Sequence, residues 1–200
     1  MTAINAEACV LVLVDLQERL MPMIERGEFV LKGAIFLGEV AKALGLKRIG
    51  TEQNPAGLGP NASAIRALCE VTLSKTHFDA CKDGLLELLS ADLGKPVKQI
   101  VVAGCEAHVC LLQTSLGLLR AGYEVFVVAT ACGSRTLENH RLAMNRLEKA
   151  GAILVSSEMV AFEWLNSSPA RSPSCTARPP PTGWCGSGSY RWSSRSCSRC

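Results

Sequence analysis

Residues 8–17 read Ala8-Cys9-Val10-Leu11-Val12-Leu13-Val14-Asp15-Leu16-Gln17, and this stretch decides the fold. Apolar residues rich in Val and Leu run without a break from Ala8 to Val14 and stop at a carboxylate. A strand with one wet face alternates apolar and polar residues. A continuous run belongs to a strand covered on both faces, as in a parallel sheet wrapped by helices. An ionised carboxylate ending such a strand is costly unless it has a partner or a task, so Asp15 is a candidate cap for the next turn and equally a candidate catalytic group.

Reading outward, Glu28 to Leu44 repeats apolar residues at helical spacing (Phe29, Val30, Leu37, Val40, Ala41, Leu44) and closes at Gly45, which predicts a crossover helix. Leu46 to Thr51 reads as a strand, Glu52 to Pro60 as an ordered loop punctuated by Pro55, Gly57, Gly59 and Pro60, and Val71 to Leu73 as a short strand. Further on come a helix over Asp83 to Leu93, a strand over Gln99 to Ala103, a helix over Val109 to Ala121 and a strand over Glu124 to Thr130. A helix over Leu137 to Ala150 and a last strand over Ala152 to Val155 complete the series. This alternation predicts a three-layer α/β/α, Rossmann-like fold with a mostly parallel, doubly wound sheet and right-handed crossovers. Ligands of such sheets bind outside the carboxyl ends of the strands, which singles out Asp15, Gln17, Thr51 to Gln53, Lys75 and Glu106 to Cys110.

Composition sets the limits. At 200 residues, 48% apolar and 20% charged, the chain suits one compact domain. Its longest apolar run is far short of the ~20 residues of a bilayer span and no charged leader is visible, so a cytoplasmic protein without membrane contact is expected. Of ten cysteines, Cys9, Cys69, Cys81, Cys105, Cys110 and Cys132 are scattered through core-like segments and are expected to be reduced thiols.

From Ser167 to Cys200 there is no Val, Ile, Leu, Met, Phe, Asp, Glu or Lys, while Ser, Pro, Arg and Cys dominate. Such a segment cannot bury enough apolar surface to offset its ordering entropy, so the expected division is a folded domain over 1–166 and a disordered tail over 167–200. The tail is weighed as an Arg-rich tether, as a Cys metal site using Cys197 and Cys200, and as a functionless extension; a translation-frame change, which shifts residue usage abruptly in mid-helix, favours the last. Five arginines of the tail account for the formal charge of +3, and without them 16 basic residues face 18 acidic ones, a formal −2. A nucleic-acid-binding body is not supported.

Cys110 follows a strand-to-helix turn, Gly104-Cys105-Glu106-Ala107-His108-Val109, so its thiol sits near a helix N-terminus, where backbone N–H groups and the helix dipole are expected to favour the thiolate. A buried small hydrophobe is the competing reading. Lys75, before Thr76-His77-Phe78-Asp79, is by pattern an ordinary solvated charge, and periodicity alone does not select it. His77 and His140 read as surface residues, and His108 is too close to Cys110 along the turn to assume that the two face each other. No G-x-S-x-G, G-x-G-x-x-G or G-x-x-x-x-G-K-[ST] motif is present, so nucleotide-dependent chemistry has no support.

Four ordered motifs then carry a resemblance from about Ala8 to Leu165: Leu13-Val14-Asp15-Leu16-Gln17; Thr51-Glu52-Gln53-Asn54-Pro55 with Gly57-Leu58-Gly59-Pro60; Ser74-Lys75-Thr76-His77-Phe78; and Val102 to Cys110. In these the chain resembles the isochorismatase-like cysteine hydrolases, which include nicotinamidases and N-carbamoylsarcosine amidases. The resemblance implies an Asp15, Lys75 and Cys110 triad, a cis peptide between Cys105 and Glu106, and an oxyanion hole from the Glu106 and Cys110 N–H groups. It implies hydrolysis of a C–N, amide-like bond of a small molecule through a Cys110 thioester, with no cofactor and a homo-oligomeric state. Gln17, Gln53 and Phe78 follow motif positions and are expected at the substrate.

Metal-using relatives resemble one another in an Asp and His cluster after the second strand; Thr51 to Pro60 offers neither residue, so no metal is expected. The alternatives are a nicotinamidase-type amidase, a non-catalytic protein on the same fold, and a thiol redox sensor.

Overall fold

A computed structural model describes residues 3–91 and 97–166. Six strands, β1 (Cys9–Val14), β2 (Lys47–Gln53), β3 (Val71–Lys75), β4 (Gln99–Cys105), β5 (Glu124–Gly133) and β6 (Ile153–Val155), form one sheet in the order β3-β2-β1-β4-β5-β6. Every pairing is parallel. The winding direction therefore reverses between β1 and β4, the place where such sheets open a crevice for ligands.

The helices are α1 (Gly27–Ala43), α2 (Pro55–Leu58), α3 (Ser63–Leu68), α4 (Leu85–Ser90), α5 (Cys110–Arg120), α6 (Leu137–Lys149) and α7 (Ser157–Leu165). They cover both faces, and the two-residue side-chain period of the strands sorts the core into two layers. Leu11 and Leu13 of β1, with Val101 and Ala103 of β4, pack against Val30, Ala34 and Leu37 of α1 and Val160 and Trp164 of α7. Val10, Val12 and Val14, with Ile100 and Val102, pack against Leu85 and Leu89 of α4, Leu111 and Leu118 of α5 and Met144 and Leu147 of α6. All six residues of β1 are buried, as a central strand demands. The architecture is the expected three-layer α/β/α.

Several boundaries differ from expectation. The helix read over Asp83–Leu93 begins as a 3-10 turn, Ala80–Asp83, and is broken by Gly84 at φ 109° before α4; Asp92 and Leu93 lie outside the described residues. The segment Ser63–Leu68, helical here, is too short to show a period, and it buries only Ile65 and Leu68. The loop after β2 contains the single helical turn α2. β5 continues three residues beyond Thr130, where its pairing with β4 shifts register between Val102 and Gly104. The expected tail, 167–200, lies outside the described residues.

Gly104 fixes the geometry of the central crevice. Its φ is +130°, and a Cβ there would stand 2.0 Å from the Val14 carbonyl oxygen, so only glycine lets β4 pass this close to the end of β1.

Candidate active site

The carboxyl ends of β1, β2 and β3 and the turn after β4 converge on one buried polar group. Asp15 follows β1 in the left-handed region at φ 48°, and its amide donates to the Thr51 carbonyl oxygen at 3.1 Å. One of its oxygens, Oδ1, accepts from Thr51 Oγ1 at 2.6 Å. The other, Oδ2, accepts from Lys75 Nζ at 2.7 Å, and neither side chain of this ion pair is exposed. Lys75 is the last residue of β3, the edge strand, whose other residues are mostly exposed; the ion pair is what draws its ammonium inward.

Gln53, ending β2, ties the rest together. Its Oε1 accepts from Lys75 Nζ at 2.7 Å and from Cys110 Sγ at 3.9 Å, while its Nε2 donates to the Thr76 carbonyl oxygen at 2.7 Å, which fixes the amide's orientation. Cys110 is the first residue of α5, whose leading N–H groups have no partner within the helix and receive no cap from the Val109 side chain. Asp15 and Lys75 both act on its thiol electrostatically.

The surroundings of the thiol oppose its ionisation. Burial pushes Cys110 up from 9.0 to about 12, and the Asp15 carboxylate pushes in the same direction, with Lys75 offsetting only part. The expected thiolate-favouring effect of the helix start is thus outweighed by removal from water and by the adjacent negative charge. A protonated thiol beside an ionised carboxylate and an ammonium is an arrangement in which the proton moves during attack rather than before it.

The Cys105–Glu106 peptide is cis, and the turn that follows is tied to the end of β5. Ala107 N–H donates to the Gly133 carbonyl oxygen at 2.7 Å, and His108 Nδ1 meets Ser134 Oγ at 3.0 Å. Buried Glu106 accepts from Arg135 Nη2 at 2.6 Å and Nε at 3.0 Å, and from the Arg135 amide at 3.1 Å. Arg135 holds the Glu106 carboxyl below the usual carboxylate range.

The three remaining candidates separate. Gln53 sits within the polar group. Gln17 joins it through the Gln53 backbone: fully buried, its Nε2 donates to the carbonyl oxygens of Gln53 and Gly59 at 3.0 and 2.6 Å and its Oε1 accepts from the Gln53 amide at 2.9 Å, so it braces the end of β2 that carries Gln53. Phe78 is half exposed, and its carbonyl oxygen accepts from Thr114 Oγ1 at 3.3 Å. Sequence reasoning missed the clamp from Ser134 and Arg135, which follow a strand with no periodic or motif signal of their own. A hollow of about 560 Å³ between the start of α1 and the end of β5 shares Gly133 and Ser134 with this region but is lined by none of Asp15, Lys75 and Cys110. Among the described residues no three His, Cys, Asp or Glu side chains gather as a metal site.

Comparison with known proteins agrees with this architecture. The isochorismatase domain family matches residues 9–159. Isochorismatase domain-containing protein 2 of Xenopus laevis is 33% identical over 162 residues, covering 81% of this chain and 78% of its own. The structure of MAR1 ribonuclease from Caenorhabditis elegans superposes with a TM-score of 0.78 at 32% identity, over 84% of this chain and 86% of that one. The YcaC gene product of Escherichia coli, described as an octameric hydrolase of unknown specificity, superposes with a TM-score of 0.77 at 24% identity, over 84% of each chain. The family match over three quarters of the chain and a relative at one-third identity lead to one conclusion: the chain belongs to the isochorismatase family.

Proposed function

We propose that this protein is a cysteine hydrolase that cleaves an amide-like C–N bond of a small molecule through a thioester on Cys110. One observation carries the reading: the Lys75 ammonium and Asp15 carboxylate, 2.7 Å apart and fully buried, stand against the Cys110 thiol at the functional edge of the sheet. A buried ion pair is retained at such a cost in desolvation where it has a task.

In this reading Asp15 takes the thiol proton as sulfur adds to the carbonyl carbon, and Lys75 steadies the charges. The N–H groups of Glu106 and Cys110 receive the developing oxyanion. The C–N bond breaks as Asp15 returns the proton to the leaving nitrogen, giving the thioester and a free amine. Water then yields a proton to Asp15 and adds to the thioester carbon; the C–S bond breaks, sulfur regains the proton, and the acid leaves. Gln53 lies against Lys75 and Cys110, and Gln17, Gln53 and Phe78 are proposed to face the substrate. Neither a metal nor a cofactor is used.

A soluble cytoplasmic homo-oligomer is part of the proposal. Supporting it, no described helix is long and apolar enough to cross a membrane, and all six cysteines in the described residues are free thiols. Phe29 and Phe36 on α1 and Phe162 on α7 are exposed aromatic residues suited to subunit contact. Although a Caenorhabditis elegans relative carries the name of a ribonuclease, the formal charge of −2 before the tail favours a small molecule over RNA.

The test is acylation by p-nitrophenyl acetate, followed by p-nitrophenolate release and intact mass. One acetyl group mapped to Cys110 and absent from Cys110→Ala supports the reading and opens an amide screen read by amine release. If Cys110 in folded protein takes up no acetyl group, the hydrolase reading is wrong.

A further inference from the structure

The proposed oxyanion turn does not hold its shape alone. Its residues 106–108 are stitched to residues 133–135 at the end of β5 by three contacts of different kinds: a backbone hydrogen bond from Ala107 to Gly133 at 2.7 Å, a side-chain contact of His108 with Ser134 at 3.0 Å, and the ion pair of Glu106 with Arg135. The third is the strongest. Arg135 presents a two-pronged fork, Nε on Oε2 and Nη2 on Oε1, and its own amide also donates to Oε2. Two parallel charge-assisted bonds fix a carboxylate in plane as well as in position. The Glu106 side chain is 7% exposed while that of Arg135 is 61% exposed, so the guanidinium fills no core volume and its evident structural partner is Glu106.

We propose that Arg135 is a positioning residue for the reaction: through Glu106 it sets the backbone of the turn whose N–H groups receive the oxyanion. The proposal rests on the cysteine-hydrolase reading. It separates two properties of the site. The thiol's surroundings, Asp15, Lys75 and Gln53, come from the ends of β1, β3 and β2, whereas the Glu106 donor is held from the end of β5. Altering Arg135 therefore leaves the side chains around the thiol in place and displaces the Glu106 donor.

Two probes of Cys110 distinguish these properties. Acylation by p-nitrophenyl acetate passes through a tetrahedral oxyanion: the C–S bond forms, the C–O bond breaks, p-nitrophenolate leaves and the thiol proton remains with Asp15 or solvent. Alkylation by iodoacetamide displaces iodide at a saturated carbon and forms no oxyanion. Arg135→Met is expected to slow acylation by about 10- to 100-fold, the scale of a misplacement of about an ångström, with alkylation unchanged. Arg135→Lys restores a cation without the fork and is expected to fall between.

The pH dependence gives a second readout. Arg135 and His108 are the charged or titratable groups that hold the Glu106 carboxyl down, and Cys105 adjoins it. Loss of Arg135 moves that carboxyl upward, so the acid limb of the acylation profile is expected to appear at higher pH in Arg135→Met than in wild type. Equal acylation by wild type and Arg135→Met overturns the proposal, as does an equal fall in acylation and alkylation, which would mean that the thiol itself was displaced. Wild type that never acylates at Cys110 defeats the hydrolase reading instead, so the two failures are distinct.

Discussion

Lys75 and Asp15, sixty positions apart in sequence, meet at 2.7 Å with no solvent on either side chain. Removing one partner leaves the other charged and unpaired in a place water does not reach. Lys75→Met is therefore expected to destabilise the fold by about 3–5 kcal/mol in urea denaturation. The double change Lys75→Met with Asp15→Leu removes both charges and is expected to cost less than the sum of the single changes, by about 1–3 kcal/mol. Strictly additive losses would contradict a direct pair.

The second expectation concerns the thiol. Burial is the main cause that pushes the Cys110 thiol up to about 12, and the Asp15 carboxylate is the next. Asp15→Asn removes a negative charge from beside the sulfur, so thiolate formation is expected to move to lower pH even as acylation is lost. The difference in thiolate ultraviolet absorbance between each protein and its Cys110→Ala counterpart measures the shift. A midpoint that stays or rises means that Asp15 does not act on the thiol electrostatically.

Alkaline stability follows from the same physics on more residues. Cys9, Cys110 and Cys132 are buried and are each raised from 9.0 to about 12. Below pH 9 these thiols are protonated in both the folded and the unfolded chain and contribute no pH dependence. Between pH 9 and 12 the unfolded chain has released the protons that the folded one keeps, so the unfolded state binds fewer and stability falls as pH rises. The slope is about 1.4 kcal/mol per pH unit for each such thiol. Urea unfolding under reducing conditions at a series of pH values measures it, and replacing Cys132 by Ala is expected to flatten the slope by one thiol's share. A flat profile up to pH 11 would show that these sulfurs are not withdrawn from water.

How far the sequence discloses the site depends on how each residue is placed. Asp15 follows the apolar run of β1 and Cys110 opens the helix after the apolar run of β4, so periodicity alone brings them to the carboxyl edge of the sheet. Lys75 ends an edge strand whose exposed residues show no burial pattern, and the inward turn of its side chain comes from a partner on another strand. Only the motif resemblance selects it. Gln17 is picked out by its place after β1, but the bonds of its amide to the Gln53 and Gly59 backbone join segments far apart in sequence and leave no mark in periodicity. Arg135 leaves no mark at all in the pattern, since an exposed arginine after a strand reads as solvated surface. The sheet was legible because apolar periodicity is a property of neighbours along the chain, whereas the site's contacts link residues 22 to 60 positions apart.

The reversal of winding between β1 and β4 has a further consequence. Asp15 and Lys75 belong to the half of the sheet built before β4, and Cys110 to the half built after it. A cut in the backbone between residues 75 and 99 leaves the Asp15–Lys75 ion pair on one fragment and Cys110, the proposed nucleophile, on the other, and β1–β4 hydrogen bonding is the seam that reunites them. A ribosome that has not yet released β4 carries a chain in which the ion pair and the thiol are still apart. On the proposed hydrolase reading, acylation of Cys110 is a gauge of completed folding, expected to appear in complementing fragments of the chain only when they rejoin.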